Sequence, residues 1–315
     1  MKENTRTIGI IGTGMIASSL AVLVCGHGFT CVVIARSTAA EERCHAAFKA
    51  HWDDLVSHGV ATREQAEICE GYLVISQDYA ALRDASLVFE SVVENIDVKH
   101  EVYRCIDEHC PNLRAICSAS SSIVADDLAS GAGRYADRIV VTHPFNPAHM
   151  VPYVEICGGS STAPGVIEYA RDVLLRLDRK PVVLKRPTPG FIGNRLQFAL
   201  WREALALVEE GIAEPRDIDT ALSDSFCPRF TSIGIFEHFD CGGMQLNSAP
   251  CEALFPILSG AKEVPQSIRD LLASGKTGQK AGEGFYAWHD VDMQAYTERV
   301  NAPYWQFCTW DMPEA

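Results

Sequence analysis

The 315-residue chain predicts an α/β fold, a doubly wound sheet followed by an all-helical C-terminal region, on three observations. Thr7-Ile8-Gly9-Ile10-Ile11 is an apolar run of strand length that leads into Gly12-Thr13-Gly14-Met15-Ile16-Ala17 and then an apolar stretch through Val24. Apolar strand-like runs and helical patterns alternate from there to about residue 185. After Lys185-Arg186-Pro187-Thr188-Pro189-Gly190 the pattern is helical.

The first element is thus a buried strand, and the turn after it has the G-x-G-x-x-A spacing of a dinucleotide-binding, Rossmann-like fold. Gly12 permits the tight turn, Gly14 lets backbone approach a pyrophosphate, and small Ala17 lets the helix pack close to the strand. Free N–H groups around Met15 and Ile16 then aim at the phosphates. The second strand, Cys31-Val32-Val33-Ile34, arrives at the distance this motif requires. At its end, where an acid usually binds the ribose hydroxyls, the sequence reads Ala35-Arg36-Ser37-Thr38. A carboxylate would repel a phosphate on the ribose, whereas Arg36 offers a bidentate donor and Ser37 a neutral one, so NADP(H) is favoured over NAD(H). The alternative is a solvated Arg36 opening the next helix, with NAD bound less tightly.

Helical patterns cover 39–57, ended by His58-Gly59, and 62–69, with Thr62 as its cap. Residues 72–76 and 86–94 read as strands, the second leading to a helix around 98–109. Further strands fall at Ala115-Ile116-Cys117-Ser118 and Arg138-Ile139-Val140-Val141-Thr142, the latter ending at His143. Residues 154–157, a helix over 164–177 and residues 181–184 form another βαβ-like stretch. This alternation implies parallel pairing, with the ligand crevice at the carboxyl ends of the strands, where Glu94, Ser118 and His143 all fall. The Pro/Gly cluster near 187–190 divides a dinucleotide-binding domain, 1–187, from a helical domain, 188–315. Within the latter, 191–211 is a long amphipathic run ended by Gly211, and 215–223 opens another helix with Asp217 and Asp219 in its first turns.

Twelve positions after His143, in His143-Pro144-Phe145-Asn146-Pro147, comes the acid of Val151-Pro152-Tyr153-Val154-Glu155-Ile156. A histidine whose far nitrogen is held by a carboxylate can relay a proton near neutral pH, because the acid fixes the tautomer and steadies the imidazolium. The prolines on both flanks restrict the backbone, as a loop holding such a pair requires. By itself His143-Pro144 reads more readily as a turn than as a catalytic element.

Lys plus Arg number 27 against 41 Asp plus Glu, a net charge of −14 that argues against a nucleic-acid partner. No stretch approaches the roughly 20 apolar residues of a membrane span, and Met1-Lys2-Glu3-Asn4 reads as running into the first strand without a leader, so a cytoplasmic enzyme is expected. The 12 cysteines are scattered, none in a C-x-x-C pair, and read as reduced, mostly buried small hydrophobes; no metal site is expected.

Jointly, several motifs resemble the L-3-hydroxyacyl-CoA dehydrogenase superfamily, which includes L-gulonate 3-dehydrogenase, lambda-crystallin and L-carnitine dehydrogenase. They are the glycine turn at 12–17, Ser91-Val92-Val93-Glu94-Asn95 with Lys99, Ser118-Ala119-Ser120-Ser121-Ser122, His143-Pro144-Phe145-Asn146-Pro147, Pro189-Gly190-Phe191-Ile192-Gly193-Asn194-Arg195, Val208-Glu209-Glu210-Gly211 and Gly284-Phe285-Tyr286. The resemblance spans nearly the whole chain. It implies a helical domain that builds a homodimer, and hydride exchange at the hydroxyl-bearing carbon β to a carboxylate or thioester.

The same resemblance gives His143 the role of general acid/base, with Glu155 as its orienter. Ser118 and Asn194 would hydrogen-bond the reacting carbonyl, Asn146 would meet the nicotinamide side, and Glu94 and Lys99 would lie near cofactor or substrate. The plainer readings are that Ser118 finishes a strand, Asn194 caps its helix and Lys99 is solvated. The chain departs from the family at Ala35-Arg36 and at Ala119. The stretch Cys227-Pro228-Arg229-Phe230-Thr231-Ser232-Ile233-Gly234-Ile235-Phe236 resembles the gulonate and carnitine branch, so a small 3-hydroxy or 3-oxo acid is the expected substrate and Arg229 the expected carboxylate clamp, unless it pairs an acid at the dimer interface. Acyl-CoA thioesters are the alternative substrate, and a crystallin-like structural or cofactor-sensing protein is the alternative of another class.

Overall fold

The computed structural model describes residues 7–310 and 312–313; Met1-Lys2-Glu3-Asn4, read above for the absence of a leader, lie outside the described residues. The chain forms two compact units, residues 1–192 with 298–315, and residues 193–297.

The first unit is built on β1 (Thr7–Ile11), α1 (Met15–Gly26), β2 (Thr30–Ile34), α2 (Thr38–Ser57), α3 (Arg63–Glu70), β3 (Leu73–Ser76), β4 (Leu87–Glu90), α4 (Ile96–His109), β5 (Ala115–Ser118), α5 (Ala125–Ala129), β6 (Ile139–Pro144), β7 (Tyr153–Gly158), α6 (Pro164–Arg176) and β8 (Lys180–Val183). Local chemistry sets the helix starts. Ser37 caps α2, Thr62 and Gln65 form a capping box on α3, Asn95 accepts from Asp97 N and Val98 N at the head of α4, and Pro164 opens α6. The eight strands make one sheet in the order β3-β2-β1-β4-β5-β6-β7-β8.

Because successive side chains on a strand point to opposite faces, the unit has two cores. Leu87 and Phe89 of β4 join a cluster with α1, α2, α3 and α6, while Val88 joins one with α4 and α5. The C-terminal residues belong to the first cluster: Trp310 packs against Gly26, where a side chain would meet its ring at 2.9 Å.

Two expectations are corrected. β4 stops at Glu90 rather than running to 94, so Glu94 lies in the loop before α4. β7 runs antiparallel to β6, whereas an all-parallel pattern was expected. The reason is chain length: residues 145–152 are too few for the crossover of a dozen or more residues that a parallel return needs.

The second unit is helical, with α7 (Gly193–Glu209), α8 (Pro215–Ala221), α9 (Ile235–Gly242), α10 (Met244–Leu254) and α11 (Gln266–Ala273). Gly211 adopts φ +67° just past α7, the left-handed conformation that ends a helix there. Large apolar side chains of this unit stand in solvent, among them Phe236 at 89 %, Leu246 at 72 % and Phe255 at 67 % exposure. No helix among the described residues is long and apolar enough to cross a membrane.

Candidate active site

At the end of β1, Gly12 takes φ +118°, and a side chain there would collide with the Ser91 carbonyl oxygen. Gly14 precedes α1, and a Cβ on it would meet nothing within 4 Å. No side chain caps α1; Met15 at its head is exposed, Ile16 is half-buried and Ala17 is fully buried. An uncapped helix end over open space, floored by a backbone only glycine can follow, fits the pyrophosphate of a dinucleotide. Beyond β2, Arg36 is exposed, Ser37 Oγ accepts from Ala40 N at 3.3 Å as the α2 cap, and Gln77 Nε2 donates to Thr38 Oγ1 at 3.3 Å.

β4 and β5 end side by side with Glu90 in register with Ser118, both on the α4 face and both fully buried. Lys99 Nζ, 1 % exposed, donates to Glu90 Oε1 at 2.8 Å and Oε2 at 3.0 Å. Tyr103 and Ser118 hydroxyls donate to Glu90 Oε2 at 2.9 and 2.6 Å, and Val92 N donates to Oε1 at 2.9 Å. Lys99 and Tyr103 reach one carboxylate because residues four apart share a helix face. Stripping one charge from so buried a pair costs about 3–5 kcal/mol.

Lys99 also lies 3.4 Å from Glu94 Oε2, while Glu94 Oε1 accepts from Ser120 Oγ, Ser122 Oγ, Ser121 N and Ser122 N. Partial burial of Glu94 opposes ionisation, but the hydrogen bonds from Ser120 and Ser122 and the Lys99 ammonium outweigh it and bring the carboxyl down to about 2. Lys99 is therefore a buried counter-charge, not a solvated helix residue. Ser118, expected to donate to a carbonyl, here gives its proton to Glu90 and keeps only lone pairs for another partner.

On β6 and β7, His143 is paired in register with Glu155, and their side chains share the face that carries Val141 and Cys157. His143 Nδ1 lies 2.9 Å from Glu155 Oε2, with the acid fully buried and the histidine 8 % exposed. A carboxylate only accepts, so Nδ1 carries the proton and Nε2 is the atom left to take or give one. Glu155 Oε1 accepts from Tyr153 Oη at 3.0 Å and Ile192 N at 2.7 Å. Phe191 stacks on the imidazole at 5.3 Å between centroids, and Phe145 meets it edge-on at 5.5 Å.

The β6–β7 loop carries Asn146, which is exposed, and two anchors hold that loop. The buried Arg179 guanidinium donates to the carbonyls of Ala148, His149 and Val151, and Ser19 Oγ of α1 accepts from His149 N and hydrogen-bonds its ring at 2.7 Å. The loop is thereby tied to the helix that follows the glycine turn. β1 and β6 are three strand positions apart, roughly 14 Å at ~4.8 Å per strand, a gap that an extended dinucleotide spans.

The structure thus gathers the predicted residues into three groups in the first unit: Gly12, Gly14, Met15, Ile16 and Ala17 with Arg36 and Ser37 beyond β2; Glu94, Lys99 and Ser118; and His143 with Glu155, next to the loop of Asn146. Asn194 lies in the first turn of α7, and Arg229, exposed and 3.2 Å from His238 Nε2, sits in a short helical turn of the second unit. Sequence reasoning missed Glu90, Tyr103, Tyr153 and Arg179. An acid closing the apolar run Leu87-Val88-Phe89 marked the first, and the two-residue spacing of Tyr153 and Glu155 on a strand marked the third.

Comparison with known proteins gives two family matches: 3-hydroxyacyl-CoA dehydrogenase, NAD binding domain, over residues 7–187, and 3-hydroxyacyl-CoA dehydrogenase, C-terminal domain, over residues 190–288. The chain is 31 % identical over 291 residues to 5-formyl-3-hydroxy-2-methylpyridine 4-carboxylate 5-dehydrogenase of Mesorhizobium japonicum, covering 92 % of this chain and 93 % of that protein. It is 37 % identical over 222 residues to an L-carnitine dehydrogenase of the same organism, covering 68 % and 61 % of the two chains. A crystal structure of the 5-formyl-3-hydroxy-2-methylpyridine 4-carboxylic acid 5-dehydrogenase, described as an NAD+ dependent dismutase, superposes with a TM-score of 0.87 at 30 % identity over 96 % of each chain.

Proposed function

The chain belongs to the 3-hydroxyacyl-CoA dehydrogenase family and is a nicotinamide-dependent dehydrogenase acting on CH–OH; from that premise we propose that it interconverts the 3-hydroxy and 3-oxo forms of a small free carboxylic acid or related β-keto compound, with His143 and Glu155 as the proton relay. The observation that carries this reading is the 2.9 Å contact of His143 Nδ1 with buried Glu155 at the carboxyl end of the sheet. Bound at the glycine turn, the nicotinamide nucleotide supplies or takes the hydride.

The chain's own groups handle the proton. In reduction, charge grows on the substrate oxygen and His143 Nε2 delivers a proton to it; in oxidation the neutral imidazole takes that proton back. Glu155 steadies the imidazolium in both directions. Asn194 offers a neutral donor to the same oxygen, Asn146 meets the nicotinamide side, and Arg229 grips the carboxylate. Ser118, held by Glu90, orients rather than protonates. Glu94 and Lys99 shape the loop beside the cofactor. The small-acid reading is supported by the relatives: one is a pyridine 4-carboxylate dehydrogenase by name, and the other is an L-carnitine dehydrogenase.

For the cofactor we favour NADP(H), on Arg36 and Ser37 where an acid would exclude the extra phosphate. The solved relative is NAD+ dependent, which makes NAD(H) the competing reading. The helical part, with its solvent-facing apolar side chains, we assign to substrate binding and homodimer formation. The test is turnover of a panel of 3-oxo acids, free and as CoA thioesters, with NADPH and with NADH. Turnover of free acids supports the proposal; turnover of thioesters alone overturns the substrate class. Nucleotide binding with no turnover favours a structural or sensing protein.

A further inference from the structure

Glu155 does more than face His143, because its second oxygen is occupied by a partner that the relay does not require. Tyr153 precedes it by two residues on β7, so both side chains leave the same face of the strand. The Tyr153 hydroxyl donates to Glu155 Oε1 at 3.0 Å, beside the Ile192 N–H at 2.7 Å, while Oε2 takes His143. The Tyr153 ring is fixed edge-on to Phe145 at 5.7 Å, and Phe145 in turn meets the imidazole. One tyrosine therefore touches both the acid and the aromatic wall of the histidine.

We propose that Tyr153 is a positioning residue for the proposed His143–Glu155 relay: its hydroxyl fixes the carboxylate's orientation and draws charge from it, weakening Glu155's hold on the imidazolium. This rests on the relay reading above. A carboxylate that accepts more hydrogen bonds is a weaker base, so each added donor reduces the stabilisation left for the cation opposite. The titratable neighbours of the pair are held neutral or engaged elsewhere. Cys157 on β7 is a thiol that burial keeps protonated, and the ordered β8 neighbour of Glu155 is Val182. Lys180, beside Tyr153 in the register, directs its ammonium over the Phe307 ring at 5.3 Å, and the His149 ring is hydrogen-bonded to Ser19. Burial and the adjacent Glu155 charge push the Tyr153 phenol upward, so it stays a donor throughout the range in which a histidine titrates.

The experiment is a ring-nitrogen NMR titration of the full-length protein labelled with 15N-histidine, with the His143 signal assigned by its loss in His143→Asn. It needs no knowledge of the substrate. Tyr153→Phe is expected to raise the His143 midpoint by roughly half to one pH unit, as loss of one donor to a charged acceptor implies. Tyr153→Leu is expected to raise it equally, and Glu155→Gln to lower it. An unmoved midpoint in Tyr153→Phe beside a lowered one in Glu155→Gln overturns the role of Tyr153 while leaving the relay intact. A shift in Tyr153→Leu alone overturns it in favour of ring packing. If Glu155→Gln also leaves the midpoint in place, the relay itself is overturned, and this inference with it.

Discussion

His143 and Glu155 face each other as paired residues of the antiparallel strands β6 and β7, 2.9 Å apart, in a sheet whose six other pairings are parallel. The reversal of direction serves the proposed relay. It places a histidine and an acid twelve residues apart in sequence on one face, with rigid strands under both. Glu155→Gln keeps the shape but lets the imidazole lose its tautomer and its counter-charge. A drop in kcat of roughly 10²–10⁴-fold is expected, the range of general acid–base contributions, with cofactor affinity unchanged by nucleotide fluorescence.

The Glu90–Lys99 pair is expected to matter for folding before catalysis. Lys99→Met leaves a carboxylate uncompensated at 0 % exposure and should lower unfolding free energy by about 3–5 kcal/mol in urea titrations. Glu90→Leu combined with Lys99→Met removes both charges and should recover much of that loss. The half-exposed Glu94→Gln, by contrast, should change stability by about 1 kcal/mol or less.

His149 gives the fold an acid-sensitive point. Burial, followed by the charges of His51 and Arg179, brings it from an ordinary 6.5 down to about 3. The folded protein keeps it neutral, whereas the unfolded chain takes up a proton below 6.5. Its contribution is thus complete above that pH and is lost as pH falls toward 3. Over that window His149→Asn should reduce the slope of unfolding free energy against pH by up to about 1.4 kcal/mol per unit, measured by denaturant titration at several pH values.

Cofactor choice should turn on Arg36. If its guanidinium grips a ribose phosphate, Arg36→Asp lowers kcat/KM for NADPH by roughly 10–100-fold and leaves or improves that for NADH. An unchanged NADPH/NADH ratio would show that Arg36 does not read a ribose phosphate, and a wild-type preference for NADH would overturn NADP(H) as the cofactor.

The helical unit exposes Phe236 at 89 % and Leu246 at 72 %, apolar surface that a partner subunit would cover. Light scattering on the intact protein should give twice the 34.5 kDa chain mass, and Phe236→Glu with Leu246→Glu should shift it toward the monomer.

The glycine turn, the strand–helix alternation and the His143/Glu155 spacing were legible in sequence because each depends on local geometry: a turn only glycine follows, a periodicity, a loop length. The antiparallel return was equally encoded in the eight residues 145–152, but alternation alone suggested parallel strands. Glu90 and Tyr103 escaped notice because their meeting depends on the packing of α4 against β4, which no spacing in either segment reveals. Ser118 stands out by its motif, but its hydrogen bond to Glu90 depends on a register neighbour 28 residues earlier in the chain, which no local spacing reveals.

The central claim is that His143 passes the proton while the nicotinamide exchanges hydride. Single-turnover reduction of a 3-oxo acid by enzyme preloaded with reduced cofactor, comparing wild type with His143→Asn, tests it most directly. The account predicts a rate at least about 10²-fold lower with nucleotide affinity preserved; a near-normal rate in the variant would contradict it.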